Sequence, residues 1–237
     1  MPKFGQVLKS GLQRPMKRKD KIIDAARLAF NDKGYGAVNL LELAQIMSIS
    51  RGNLTYHFKN KDELLQAIVD EMWHKIERES KIVRELPSFE NLHREVKLYL
   101  SIQKEYSFIY LDSQITTHPA VQDKIRTMIQ QSIESHMHSI AFAIQLGNIK
   151  PEPFAGAYRS LAFSTWMVGY YWLSQKTLRG DSEPLDPEKI AWGMILPHMT
   201  EKGVASFKKY YGDSYFNHIG EPLNIDLQNI LTQKASW

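Results

Sequence analysis

Residues 39–65 read NLLELAQIMSISRGNLTYHFKNKDELL, and two short amphipathic helices joined by a tight turn account for most of that stretch. Asn39 is placed to cap the first helix, with Glu42 three residues on as a capping-box partner. Leu40, Leu43, Ala44 and Met47 then fall on one face, at the spacing of an α-helix. Ser48-Ile49-Ser50 interrupts that pattern. Ser50 is a good cap for the next helix, and Ile49 can pack inward ahead of it. In RGNLTYHF, Leu54 and Phe58 lie four apart and face a core. Arg51, Asn53, Thr55, Tyr56 and His57 fall on the other side.

Upstream, apolar Ile22, Ile23, Ala26, Ala29 and Phe30 predict a helix over 20–33, closed by Gly34. Downstream, Lys61 opens a long helix whose bare N-terminal amides suit an anion. Two short helices across a three-residue turn form the unit that enters the DNA major groove, the second helix foremost. The outward face of that helix fits the role. Arg51 can grip guanine and Asn53 adenine, and Gly52 lets the backbone approach closely. Ser50, Thr55, Tyr56, His57 and Lys61 offer donors to phosphates. Charge agrees: residues 1–61 hold 12 Lys/Arg against 4 Asp/Glu, and the remainder 18 against 22. A basic module on an acidic body favours a polyanionic partner.

Over Lys21–Leu65 the chain resembles the DNA-binding domain of the tetracycline-repressor (TetR/AcrR) family. The resemblance rests on Ala25, Ala26, Phe30, Gly34, Tyr35, Leu43-Ala44, Ser50-Arg51-Gly52, Leu54, Tyr56-His57-Phe58, Lys61 and Leu64. It implies an all-α homodimeric regulator whose third helix reads DNA and whose body binds a small effector, and the family's phosphate roles carry to His57 and Lys61. Two positions depart from the family pattern. Ser48 stands where Gly is usual, which strains the backbone if that turn needs a positive φ. Thr55 stands where the family has a tyrosine.

The expected architecture is therefore all-α: a flexible basic arm (1–16), a three-helix helix-turn-helix domain (17–62), a helical effector-binding and dimerisation domain (63–211) and a C-terminal extension (212–237). The body reads as helices over 61–80, from Ser88, over 107–117, 119–146, 154–177 and 187–211, with Asp186-Pro187 opening the last and Pro197 kinking it. The stretch 154–173 is apolar on more than one face and rich in small residues, so it needs cover from a second copy. Helices 154–177 and 187–211 are the predicted homodimer interface, and a dimer would read a palindrome in double-stranded DNA. Apolar stripes interrupted by polar groups suggest an effector pocket at Tyr99, Gln103, Tyr106, Phe108, Met128, Ser132, His136, Trp166 and Tyr170.

Other classes are disfavoured. The chain has no cysteine, so neither disulfides nor thiolate metal sites arise. No signal-peptide pattern or membrane-length apolar run is present, so the expectation is a cytoplasmic protein without membrane contact. No catalytic or nucleotide-loop motif occurs, so no enzyme, cofactor or metal is expected. Glu134 and His138 share a helical face, but His136 points elsewhere. Two other readings stay open: a DNA-binding protein whose body binds another protein, and an interaction protein using its basic arm on membranes.

Overall fold

A computed structural model describes residues 17–83, 87–180 and 185–220. The basic arm expected over 1–16 and residues 221–237 of the C-terminal extension lie outside the described residues. Every described element is helical, apart from a lone bridge between Ile149 and Met199.

The chain contacts divide into two compact units. Of the described residues, the first comprises 17–75 and 105–125, and the second 76–83, 87–104, 126–180 and 185–220. The first unit therefore extends past the boundary expected at residue 62. It holds α1 (Arg18–Lys33), α2 (Leu40–Ile46), α3 (Arg51–His57), the first part of α4 (Lys61–Val83), α6 (Ser107–Leu111), α7 (Ser113–Thr116) and the start of α8 (Pro119–Gln145). Packing explains the extension. Phe108 meets Phe30 edge-on with ring centroids 5.3 Å apart. The Glu105 carbonyl accepts from Arg27 Nη1 (3.0 Å) and Asn31 Nδ2 (2.8 Å), and Asn31 Oδ1 accepts from the Phe108 amide. Ile22, Phe30, Leu43, Leu54, Leu64 and Ile68 fill the core between these helices.

Local chemistry sets the helix ends. Asn39 Oδ1 accepts from the amides of Leu41 and Glu42. The Glu42 carboxylate reaches Lys33 Nζ at 2.6 Å, tying α2 to the end of α1. Ser50 Oγ accepts from the Asn53 amide, and Asn60 Oδ1 accepts from the Glu63 amide as α4 begins. Gly34 closes α1 at φ 82°, a conformation that disfavours any side chain. The helix expected over 107–117 breaks at Asp112, whose carboxylate caps α7 by accepting from Gln114 N.

The second unit holds the rest of α4 and α8, most of α5 (Phe89–Glu105), and α9 (Ala157–Tyr170), α10 (Trp172–Arg179), α11 (Pro187–Ile195), a single 3-10 turn at Leu196–His198, α12 (Glu201–Tyr211) and α13 (Asp213–Asn217). Tyr158, Leu161, Trp192, Met199 and Phe207 centre its core, and Phe89, Tyr211, Tyr215 and Phe216 pack around them. Residues 213–219 of the expected extension thus belong to this unit.

Two helices expected to be continuous are broken. The predicted 154–177 helix starts at Ala157 and bends at Tyr171, where buried Gln103 fills the break. Gln103 Nε2 donates to Gly169 O (2.6 Å), and its Oε1 accepts from Leu173 N (3.2 Å). The predicted 187–211 helix ends rather than kinks at Pro197. Met199 is extended (φ −74°, ψ 150°), and Thr200 Oγ1 accepts from Gly203 N to start α12 afresh. The chain turns there to pair with the 147–150 loop: Thr200 N donates to Asn148 O and Lys150 N to His198 O. Proline alone forbids only one amide bond; the threonine cap and this pairing complete the break.

Candidate DNA-reading surface

The surface is built on α3. Leu54 (0% exposed) and Phe58 anchor it inward. Arg51, Gly52 and Asn53 all face solvent. A Cβ added at Gly52 would meet nothing within 4 Å, so the space beside the helix is open. Tyr56 is 85% exposed, an extreme for a tyrosine, with its ring edge-on to His57 at 5.2 Å. An aromatic left in water on a seven-residue helix brings no folding gain, which points to a partner. Lys17, Arg18, Lys19 and Lys21 at the start of α1 and Lys59 beyond α3 are exposed cations of the same unit.

The turn before α3 carries strain. Ser48 adopts φ 53°, the one positive-φ residue other than glycine among the described residues. The expectation from the serine-for-glycine departure is met. A Cβ in that region costs about 1–2 kcal/mol.

Three phosphate candidates have other partners. Ser50 Oγ already accepts a backbone bond. Thr55 Oγ1 donates back to Arg51 O (3.0 Å), with Gly52 O also near, a local bond typical of threonine in a helix. Lys61 folds onto Tyr35: its Nζ sits 3.9 Å from that ring centroid, 5.6 Å from the Phe30 ring, and donates to Tyr35 O. Burial there lowers its pKa below the usual lysine value, against the pull of Asp112 and Asp62. Tyr35 in turn donates from its hydroxyl to Asp62 (2.9 Å) and from its amide to Asp112 (3.2 Å). Its hydroxyl is pushed far above the ordinary tyrosine value by burial and by that carboxylate. Sequence reading missed this cluster, because Tyr35, Lys61 and Asp112 meet only in the fold.

The effector residues expected from sequence are divided between the two units. Tyr106 and Phe108 belong to the first unit. Tyr106 donates to Glu71 and lies under Arg27, whose guanidinium is 5.3 Å from the ring centroid. Gln103 is consumed at the α9–α10 break. His136 Nδ1 lies 3.3 Å from both Ala162 O and Thr165 Oγ1. Trp166 and Tyr170 stack on each other at 5.3 Å. Met128 and Ser132 are buried, and Tyr99 is half-buried. These stripes were read from apolar spacing, which marks core-facing positions, and core is where most of them lie.

The second unit does contain an open cavity of about 520 Å³, lined by none of those residues. Pro87, Asn91, Leu92 and Glu95 line it from the α5 side. Gln131, Glu134, Ser135, His138, Ser139 and Phe142 line it from α8. Among the described residues no group of three or more His, Asp or Glu is placed to hold a metal. No described helix is long and apolar enough to cross a membrane.

Comparison with known proteins agrees with the fold. The N-terminal pattern of the tetR family of bacterial regulatory proteins matches residues 22–68, and that of the TetR bacterial transcriptional repressor domain matches 70–207. An uncharacterised helix-turn-helix regulator from Bacillus subtilis, YhgD, is 30% identical over 181 residues, covering 73% of this chain and 91% of its own length. A TetR-family regulator from Marinobacter aquaeolei VT8 has the same fold at TM-score 0.71 and 22% identity, covering 82% of this chain and 99% of that one. AibR, crystallised with isovaleryl coenzyme A and operator DNA, superposes at TM-score 0.57 and 22% identity, over 76% and 96% of the two chains. The chain belongs to the tetR family of bacterial helix-turn-helix transcriptional regulators.

Proposed function

We propose that this regulator is a homodimeric repressor that reads a palindromic operator and leaves it when a small molecule binds the second unit. The observation that carries the DNA reading is the face of α3: Arg51, Asn53 and Tyr56 in solvent above buried Leu54 and Phe58. In this reading Arg51, Gly52 and Asn53 meet base edges. Ser50, Thr55, Tyr56, His57 and Lys61 meet phosphates, and Lys61 leaves the Tyr35 ring to do so. The Thr55 hydroxyl already donates within its own helix, which makes Tyr56 and His57 stronger members of that set than Thr55.

Pairing is supported by an exposed apolar row on α9 and just beyond it. Phe163, Met167 and Tyr171 follow one another at four-residue steps and are 46%, 42% and 51% exposed. Such a row requires cover, and a second copy supplies the symmetry a palindrome needs. Gating is supported by the cavity in the second unit and by the ligand-bound and operator-bound state of the AibR neighbour. A full switch needs the ligand to prefer the released state by about 5.5 kcal/mol.

Selecting bound sequences from a random DNA pool tests the reading. Recovery of an inverted repeat supports it. Recovery of sequences with no twofold symmetry, or of no consensus at all, overturns it.

A further inference from the structure

The groove between α5 and α8 is lined by no residue of α3 or of the exposed row on α9, and it carries two carboxylates. It follows one face of α8, from Gln131 to Phe142 at steps of three and four, against one turn of α5. Leu92 and Phe142 give it apolar surface, and Glu95 and Glu134 give it two carboxylates. Neither glutamate has an ion-pair or hydrogen-bond partner among the described residues. Three carboxylates elsewhere in the unit do have partners: Glu90 pairs with Arg94, Glu188 with His93 and Asp213 with Lys208. No Lys or Arg lines the groove. Its size of about 520 Å³ matches a drug-sized organic molecule rather than an inorganic ion.

We propose that this groove binds an organic cation, with an ammonium head held by Glu95 and Glu134 and an apolar body against Leu92 and Phe142. That this cation is the effector rests on the gating reading above. The two charges attract a monocation, the phenyl ring adds a cation–π contact, and the apolar lining removes hydrocarbon from water. An anion of the same shape meets two like charges and is repelled.

Three matched probes test this: 4-phenylbutyltrimethylammonium, the uncharged isostere with carbon in place of nitrogen, and 4-phenylbutyrate. Calorimetry on the full-length protein reads binding, and release of DNA selected from the random pool reads gating. The cation should bind at least tenfold more tightly than the isostere, and the anion most weakly. The double variant Glu95→Gln/Glu134→Gln should weaken the cation about tenfold, in line with two partly screened ion pairs, and leave the isostere unchanged. Ser135→Trp, which puts a bulky ring into the groove lining on α8, should abolish binding of every probe while thermal unfolding shows the fold intact. Preference for the neutral or anionic probe overturns the cation assignment, and so does cation affinity that the double variant leaves unchanged. If such a probe still frees the DNA, gating stands without it. Glutamate-dependent cation binding that leaves the DNA complex intact upholds the site and defeats gating. Absence of binding by all three overturns the proposal.

Discussion

The helices of the reading head and those of the body differ in what sets their ends. In the first unit the elements that carry DNA chemistry start and stop on neighbours in sequence: Gly34 closes α1, Asn39 and Ser50 cap α2 and α3, and Asn60 caps α4. In the second unit the decisive contacts join residues far apart. Gln103 fills the break between α9 and α10, and α12 lies on the Asn148 carbonyl. Glu188, 3% exposed, binds His93 on α5 (2.8 Å) and accepts from the Tyr211 hydroxyl on α12 (2.7 Å). Burial and that carboxylate hold the Tyr211 hydroxyl well above the usual tyrosine range. In the head, local caps set where each helix begins, although Glu105 and Phe108 complete its packing. A body built from crossing contacts leaves grooves between helices that can be shaped for different ligands.

If the units are held so differently, damage to one should remain there. The largest effect is expected at Gly203. A Cβ at that position would overlap the Asn148 carbonyl oxygen, with the carbonyl carbon only 2.9 Å away. Gly203→Ala should cost about 3 kcal/mol, because two backbones must separate. Hydrogen exchange should show amides of the second unit losing protection and those of α1–α3 keeping theirs. Equal loss in both would break the contrast.

Next come Arg51→Ala and Asn53→Ala. Both side chains face solvent, so the melting temperature should stay put. Discrimination at one base pair per half-site should fall by about 2 kcal/mol each, read by competition between the selected site and its single-base variants. A drop in stability with specificity unchanged would remove these residues from the reading surface.

A pH effect of similar or smaller size is expected in the second unit. Burial pushes the Tyr170 hydroxyl up to about 12, with the neighbouring Tyr171 adding to the shift. The folded pKa lies above the unfolded value of about 10, so folding favours the protonated phenol. This stability is intact below pH ~10 and is lost as pH rises through about 12, by on the order of 2 kcal/mol. Tyr170→Phe should flatten the alkaline fall of the unfolding free energy over that window. An unaltered pH profile would refute it.

The smallest effect is a gain. Ser48→Gly relieves the φ 53° strain but loosens the unfolded chain, for a net stabilisation of about 0.5–1 kcal/mol in the first unit. Denaturant midpoints check it, and no gain would show that the turn tolerates its side chain without cost.

Legibility followed the same division. Asn39, Ser50 and Leu54 announce α2 and α3 because a cap and its helix lie within four residues, and the strained Ser48 turn was visible for the same reason. The fate of Lys61 was not visible, since its cage needs Phe30 from α1 and Tyr35 from the connector, 26 residues and more away. In the body, Asp186-Pro187 marked the start of α11 correctly. Pro197 marked a break but not its extent, because Thr200 and the Asn148 loop complete it from 52 residues apart in sequence. Most of the pocket residues drawn from apolar stripes are buried, and none lines the groove between α5 and α8. The cavity lies where polar faces of α5 and α8 meet, and polar spacing on a single helix looks like ordinary solvated surface.

Sequence alone determined the helical class, the reading head and its outward-facing Arg51, Asn53 and Tyr56, because capping, periodicity and turn chemistry act within a few residues. Tertiary structure decided where the body helices break, which aromatics serve the core, and that Glu95 and Glu134 share one groove. Those outcomes depend on which distant surfaces meet, and no local pattern records that.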